Sequence, residues 1–330
     1  MQKAAIMLVL CCLLWGYSFP VMQLSNQILE SHYYGKGGAP AANVVWELVG
    51  LRGAFLGWRF GLAALITAVF WRSARSGYTR LEVSSGLALG LLFAVSMVCQ
   101  VAGLRYTLPS ASSFLTSLTV VFTPIVQALV FKRRVTPLTW LGVVLALAGM
   151  TIISLPNPNA CINCQVLPIP PIPYLGEAMT TLGAAFFTVL ILGLDKIGSS
   201  CNPVRMSVMM FVSSAFFCTL AGLAFCGQAL YRMDVISPLI HDQKFILLIV
   251  TLTFFSSVLA IQFMYRYQSF VSPAVASVIY ATESVFATLF SVVLFHTEEL
   301  TAITVVGGSL ILTAFLLVTL PSNAKPEPAT

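Results

Sequence analysis

Ten apolar stretches, each long enough to cross a lipid bilayer as a helix, dominate this sequence. A spanning helix needs about 20 mostly apolar residues, within a range of about 17–25. The stretches are apolar all round and do not alternate in short segments, which favours helices over the strands of a membrane barrel. The predicted fold class is therefore an all-α membrane protein with ten transmembrane helices. We place them at residues 4–24, 54–71, 83–103, 110–131, 137–155, 174–194, 205–228, 245–265, 272–295 and 301–320.

The composition excludes an ordinary soluble domain. Hydrophobic residues make up 58% of the chain and charged residues only 8%, whereas soluble domains are about 45–50% apolar and about 25% charged. So few charges cannot cover a surface that faces water, so the outer surface must face lipid. The N-terminal apolar run is longer than that of a secretory signal and has no cleavage site of small residues, so it is interpreted as the first helix.

Basic residues predict the orientation, because they collect on the cytoplasmic side of membrane proteins. With the N-terminus inside, eleven Lys and Arg residues lie on the inner face and five on the outer face, and Arg59 lies within the second helix. We therefore expect a multi-pass protein of the plasma (inner) membrane with both termini cytoplasmic. The net charge of +6 is explained in this way, and no basic run with interleaved aromatics indicates a nucleic-acid partner.

The two halves of the chain share a pattern. Thr136 and Gly142 match Thr301 and Gly307 at one constant offset along the chain. Five helices per half is an odd number, so the second copy would enter the membrane from the opposite side, as in the inverted repeats of many transporters. The predicted division is a first repeat over 1–155, a Pro-rich outer loop over 156–173, a second repeat over 174–320 and a cytoplasmic tail over 321–330.

Glu283 is the strongest candidate for a site residue. It lies near the middle of the ninth predicted span, where a carboxylate costs about 2.5–3.5 kcal/mol on insertion scales. Such groups face a cavity or a partner, and they often mark substrate or proton pathways. The alternative is a protonated Glu that hydrogen-bonds to a neighbouring helix. Tyr280 lies about one turn away on the same helical face and can stack on a substrate or belong to the interfacial aromatic belt.

The other candidates for the substrate or proton pathway are polar or aromatic residues within apolar helices. Gln100 and Gln262 can bond between helices or line a polar cavity. Trp15 lies mid-helix and can stack on a substrate or belong to an aromatic belt. Glu177 lies in the first turn of the sixth helix, where the helix dipole already accounts for it. Arg59 can bind an anion or be structural; the structural role is favoured, because from one turn inside its helix the side chain could extend to the interface.

Enzyme and metal chemistry have little support in the sequence, so we expect no catalytic residues, no cofactor and no metal. The three histidines lie in loops or at helix ends without another ligand at useful spacing. Cys161 and Cys164 on the Pro-rich loop make a poor zinc site by themselves, and whether they form a disulfide is left open. A channel or a structural membrane protein is the alternative to a carrier, although no Gly-rich filter or charge ring is visible.

Several motifs resemble the EamA family of the drug/metabolite transporter superfamily. The first helix has the Trp15-Gly16-x-x-Phe19 pattern, and the second has Arg59-Phe60 followed by Leu62-Ala63-Ala64-Leu65. Motifs of a helix pair then occur twice. The first copy is Ser112-Ser113-Phe114, Val121-Phe122-Thr123 and Trp140-Leu141-Gly142; the second is Ala274-Val275-Ala276, Glu283-Ser284-Val285-Phe286 and Val306-Gly307-Gly308.

This resemblance implies a bundle of two five-helix repeats around a central cavity. It also implies a transporter of small metabolites that works by alternating access, commonly an exporter of amino acids, related metabolites or drugs. Proton coupling would suit the buried carboxylate of Glu283, and a homodimer is left open. Where the family often has proline, this chain has Val120 and Ser284, so proline kinks are not predicted at those two points.

Overall fold

The chain is helical throughout most of the part that the structure describes. This computed structural model describes residues 2–34, 44–104, 106, 109–153, 174–226, 233–296 and 299–319. Within them the helices are α1 Gln2–Tyr34, α2 Val44–Phe70, α3 Arg80–Gly103, α4 Pro109–Thr116, α5 Thr119–Leu129, α6 Pro137–Ile153, α7 Leu175–Ile197, α8 Pro203–Cys226, α9 Met233–His241, α10 Gln243–Thr251, α11 Ala260–Tyr267, α12 Pro273–Tyr280, α13 Thr282–Val293 and α14 Ala302–Thr319. A π-helical segment, Leu252–Leu259, joins α10 to α11.

Nine helical spans among the described residues are long and apolar enough to cross a membrane. The fifth predicted span corresponds to α6, which is apolar and has 17 residues, the lower end of the spanning range. The all-helical class is confirmed for the described chain, and the count of ten remains a prediction. The Pro-rich loop with Cys161 and Cys164, and the tail after residue 319, lie outside the described residues.

The outer surface of the bundle is apolar, as a lipid-facing surface must be. Large side chains on several helices are more than half exposed, among them Leu65, Phe70, Leu129, Val144 and Phe216. Water-soluble monomers rarely expose large apolar side chains in such numbers. The few charged groups of the helices lie instead at their ends or inside the bundle.

The first two helices are longer than predicted. They span Gln2–Tyr34 and Val44–Phe70, whereas the sequence predicted 4–24 and 54–71. The added turns contain Glu30 and Arg52, which are both buried and form an ion pair with each other. A prediction from local hydropathy places the end of a span where charged residues begin. Here the two charges are paired inside the protein, and the helices continue past them.

Two spans are broken near their centres. The fourth span divides into α4 and α5 at Ser117 and Leu118, and the ninth divides into α12 and α13 at Ala281. The hydroxyls of Thr116 and Thr282 donate back to main-chain carbonyls of the preceding turn, an arrangement that bends helices. The breaks therefore arise without proline at Val120 or Ser284, where no proline kink was predicted.

α6 and α14 pack against each other through glycines. A Cβ on Gly149 would lie 2.5 Å from the carbonyl oxygen of Gly307, and a Cβ on Gly307 would lie 2.6 Å from that of Gly149. The starts of the two helices also match. Thr136 accepts a bond from the Thr139 N–H at 3.2 Å, and Thr301 accepts one from the Thr304 N–H at the same distance.

The interior of the bundle is formed around α1. This helix packs along α11, α12, α13 and the π-helical segment, while α2 and α3 pack against α8 and α3 against α7. The two broken spans meet beside α1, where the hydroxyls of Ser117 and Ser284 lie 3.1 Å apart. This meeting point positions the site described next.

Candidate functional site

A narrow cavity with a volume of about 30 Å³ lies inside the bundle. This is room for about two water molecules, so a larger ligand requires the walls to move apart. Its apolar wall comes from α1, α3 and α7 and consists of Trp15, Met22, Phe93, Met97 and Phe187. Its polar groups come from six different elements and consist of Ser18, Arg59, Gln100, Thr116, Ser256 and Glu283. A mostly apolar cavity with a few convergent polar groups is the usual character of a small-molecule site.

Glu283 reaches this cavity from the first turn of α13, directly after the break at Ala281. Its side chain is 8% exposed, and it takes part in none of the ion pairs found among the described residues. The N-terminus of a half-helix carries the positive end of the helix dipole. The N-terminus of α13 therefore stabilises the buried carboxylate of Glu283 without a neutralising charge. The carboxylate can still bind a ligand or a proton.

Arg59 lies on the cavity wall, and its interpretation as a side chain that extends to the membrane interface is wrong. It is 3% exposed, because α2 starts at Val44 and places Arg59 deep within the helix. Its Nε donates to Ser257 Oγ at 2.7 Å and its Nη2 to Ser256 Oγ at 2.9 Å. Like Glu283, it forms no ion pair with the described part of the chain.

The π-helical segment holds both Arg59 and Trp15. Ser256 and Ser257 are consecutive residues of this segment, and both hydroxyls face the guanidinium. The main-chain carbonyl of Ser256 accepts a hydrogen bond from Trp15 Nε1 at 3.2 Å. π-Helical turns inside α-helices occur frequently at functional sites, and the wider turn here presents two neighbouring side chains and a carbonyl to one side.

Gln100 and Trp15, both predicted site residues, line the cavity. The Gln100 amide donates to Thr116 Oγ1 at 3.0 Å, while its carbonyl oxygen is buried without a hydrogen-bond partner among the described residues. The Trp15 ring packs edge-on against Phe187, with ring centroids 5.6 Å apart. Glu283, Gln100 and Trp15 therefore line one cavity, and their role in a substrate or proton pathway stays a prediction.

The other three predicted site residues lie away from the cavity wall. Tyr280 packs behind Trp15, with ring centroids 5.5 Å apart, and its hydroxyl donates to Gln268 Oε1 at 2.8 Å. Gln262 donates to Ser207 Oγ and so links α11 to α8. Glu177 is exposed in the first turn of α7, the position that its helix-dipole explanation predicts.

The sequence-based list omitted Arg59, Ser256 and Ser257. The signal for Arg59 was present, since an ionisable residue within an apolar span is expected to face a cavity, but the misplaced start of α2 concealed its depth. Nothing in the sequence marks Ser256 and Ser257, because a π-helical turn leaves no pattern that local hydropathy detects. Within the described residues no group of three or more His, Cys, Asp or Glu side chains could hold a metal ion.

The fold and this cavity define a class of protein, namely a multi-pass helical membrane protein with a small polar site inside its bundle. The chain belongs to the EamA-like transporter family, whose sequence model matches residues 52–155 and 174–320. The protein is thus a multi-pass membrane protein of a transporter family.

Individual relatives agree with this assignment. The chain is 26% identical over 313 residues to a protein of Archaeoglobus fulgidus described as an uncharacterized transporter, covering 95% of this chain and 84% of that protein. A solved structure described as "Crystal structure of protein" has the same fold, with a TM-score of 0.63, 14% identity and 97% of each chain covered.

Proposed function

We propose that this protein is a carrier that moves a small metabolite across the plasma (inner) membrane by alternating access around the central cavity. In this proposal ten helices cross the membrane, both termini lie in the cytoplasm, and the cargo leaves the cell. The direction of transport follows the resemblance to the EamA family, whose members commonly export amino acids, related metabolites or drugs. A homodimer is compatible with this function but not required for it.

Matched geometry supports an inverted repeat of two five-helix halves, 1–155 and 174–320. Thr136 and Thr301 cap equivalent helices with equal hydrogen bonds, and the fourth and ninth spans are both broken near their centres. The family model also matches one range on each side of the Pro-rich loop, 156–173. Two oppositely oriented halves give a carrier two equivalent arrangements that open to opposite sides.

The observation that carries the proposal is the position of the cavity between the two halves. Gln100 and Thr116 contribute from the first half, and Glu283 and Ser256 contribute from the second. The hydroxyls of Ser117 and Ser284 make direct contact between the two breaks. A relative movement of the halves would therefore change the shape of the cavity itself, which is the requirement for alternating access.

Glu283 is the proposed site of proton coupling. A carboxylate without a cationic partner in a low-dielectric cavity favours binding of a proton or of a positively charged group. A carrier that exchanges the proton for cargo would use one acidic group accessible from each side in turn. Tyr280 supports this group indirectly, because it holds the indole of Trp15 against the cavity.

Reconstitution into liposomes tests the function. We expect saturable uptake of a labelled cargo that is stimulated by unlabelled cargo inside the vesicles, in a screen of amino acids and cationic drugs at two pH values. Glu283→Gln should abolish the pH dependence of the flux, while Glu177→Gln, which changes an exposed carboxylate, should leave it unaltered. Flux without saturation or counter-stimulation would indicate a channel, and unchanged pH dependence in Glu283→Gln would exclude the proton site.

A further inference from the structure

Arg59 has more hydrogen-bond donors than the described residues accept from. A guanidinium carries five N–H donors and no acceptor. Nε and Nη2 donate to the serines of the π-helical segment, and Nη1 has a 3.3 Å contact with Met22 Sδ, which is a weak acceptor. By count, one N–H on Nη1 and one on Nη2 remain without a partner among the described residues, and Arg59 is one of the residues that line the cavity.

Among the described residues, the groups that contact this cation directly supply dipoles but no counter-charge. Ser256 and Ser257 accept from Arg59 through neutral hydroxyls, and the face of the Phe60 ring lies 5.5 Å from the guanidinium carbon. A buried cation held only by neutral groups retains most of its desolvation cost. An anion that enters the cavity would lower this cost and would fill the remaining donors.

The polarity and charge of the other lining residues indicate which class of anion the cavity would accept. Trp15, Phe93, Met97 and Phe187 give the cavity an apolar wall, which suits a ligand with an apolar body. Arg59 is the one Lys or Arg side chain among the described cavity residues, and Glu283 shares the same space. A phosphate of about two charges would meet one cation and one carboxylate, whereas a carboxylate of one charge matches the two remaining N–H donors.

We propose that Arg59, held by Ser256 and Ser257, binds the carboxylate of the cargo, so that the cargo is a small organic carboxylate with an apolar body. This inference rests on the proposed function, because it assumes that the cavity is the cargo site. An ammonium group on the same cargo would be placed to face Glu283. The contact between an ammonium group and Glu283 is independent of the carboxylate contact, and the affinities of leucine and 4-methylpentanoate distinguish the two.

Binding of four matched compounds to the purified full chain in lipid nanodiscs tests the inference. They are leucine, 4-methylpentanoate, leucinamide and 4-methylpentanamide, which share one apolar body and differ in the presence of the carboxylate and the ammonium. We expect each carboxylate to bind about ten- to hundredfold more tightly than its amide, the usual effect of charged hydrogen bonds. Tighter binding of leucine than of 4-methylpentanoate would add the ammonium contact, and equal binding would confine recognition to the carboxylate.

Variants separate binding by Arg59 from a structural role. Arg59→Gln should remove the preference for carboxylates and leave the weak binding of the two amides unchanged. Arg59→Lys keeps the charge but not the planar fork, and we expect an intermediate preference. Arg72→Gln changes an exposed arginine just after α2 and should behave as the unaltered protein. The comparison of the four compounds in the unaltered protein holds even if a variant does not fold.

The outcomes distinguish this inference from the proposed function. Equal affinity for acids and amides, or equal loss of both in Arg59→Gln, would overturn the role of Arg59. Failure of all four compounds to bind, with flux of a cationic drug in liposomes, would overturn the carboxylate class and leave transport intact. Tight, Arg59-dependent binding of carboxylates without carrier-type flux of any compound would support the site and overturn the carrier.

Discussion

Three glycines on α6 and α14 give the sharpest test of how closely these helices approach. Alanine at Gly307 would place its Cβ 2.6 Å from the Gly149 carbonyl oxygen, and alanine at Gly149 would place its Cβ 2.5 Å from the Gly307 carbonyl oxygen. Both contacts involve backbone that cannot rotate away, so the helices must separate. Alanine at Gly308, the next residue along the chain, would lie no nearer than 3.8 Å to its closest contact, a methyl group of Val285.

The magnitude follows from two terms. Overpacking a close helix contact costs about 1–3 kcal/mol, while replacing Gly by Ala within a helix stabilises it by about 1 kcal/mol. Gly308→Ala gains the second term without the first, so it is a matched control that cancels helix propensity. We expect Gly149→Ala and Gly307→Ala each to be less stable than Gly308→Ala by about 1–3 kcal/mol.

Thermal unfolding of the purified protein in one detergent measures this difference. The apparent Tm of Gly307→Ala should fall below that of Gly308→Ala by a few degrees, about 2–4 °C per kcal/mol. Gly149→Ala should show a similar decrease, because the two contacts are nearly the same. A Tm for Gly307→Ala equal to or above that of Gly308→Ala would refute the close packing of α6 on α14.

Two further predictions concern charged side chains, the cap of α10 and the buried ion pair between α1 and α2. Hydrogen bonds from the Phe245 N–H, and after it from His32, hold the pKa of Asp242 below its usual value. The ionised Asp242 side chain therefore stabilises the folded protein above about pH 4. This contribution is lost as the pH falls through the lowered pKa. Asp242→Ala should lower stability by about 1 kcal/mol at neutral pH and by less in acid, while Asp242→Asn should retain most of the cap; an undiminished difference in acid would contradict the linkage. Arg52→Leu should destabilise the protein by about 3–5 kcal/mol, because the buried Glu30 loses its ion-pair partner; the double variant with Glu30→Leu should recover much of this in unfolding measurements, and purely additive effects would exclude direct coupling.

Hydropathy predicted the helices well because lipid imposes a simple rule on them. Each backbone polar group in the bilayer core must be satisfied within the segment, so a long apolar stretch has one favourable structure. The same rule fails where charges are buried in pairs. Glu30 and Arg52 satisfy each other inside the protein, so α1 and α2 continue beyond the points where local apolarity ends.

Depth in the bundle was harder to predict than helical structure. Glu283, Gln100 and Trp15 were predicted as candidates because a polar or aromatic side chain in mid-span needs an explanation in any packing arrangement, and all three line the cavity. Arg59 was misinterpreted for a single reason, which was the late start predicted for its helix. Gln262 was predicted as a site residue but bonds to Ser207 instead of lining the cavity. This contact depends on the rotation of α11 against α8, which no local sequence pattern determines.

The π-helical segment positions two side chains of the cavity, Arg59 and Trp15, at once. Its two serines hold Arg59, and its Ser256 carbonyl holds Trp15, so a single wide turn fixes a cation and an aromatic wall together. Ser256 and Ser257 follow each other in this segment, and their hydroxyls accept from two different nitrogens of one guanidinium. The site therefore depends on an irregular turn in the second half of the chain that receives an arginine from the first. Such a dependence between the halves arises only on folding, which is why the residues of each half, read separately, do not disclose it.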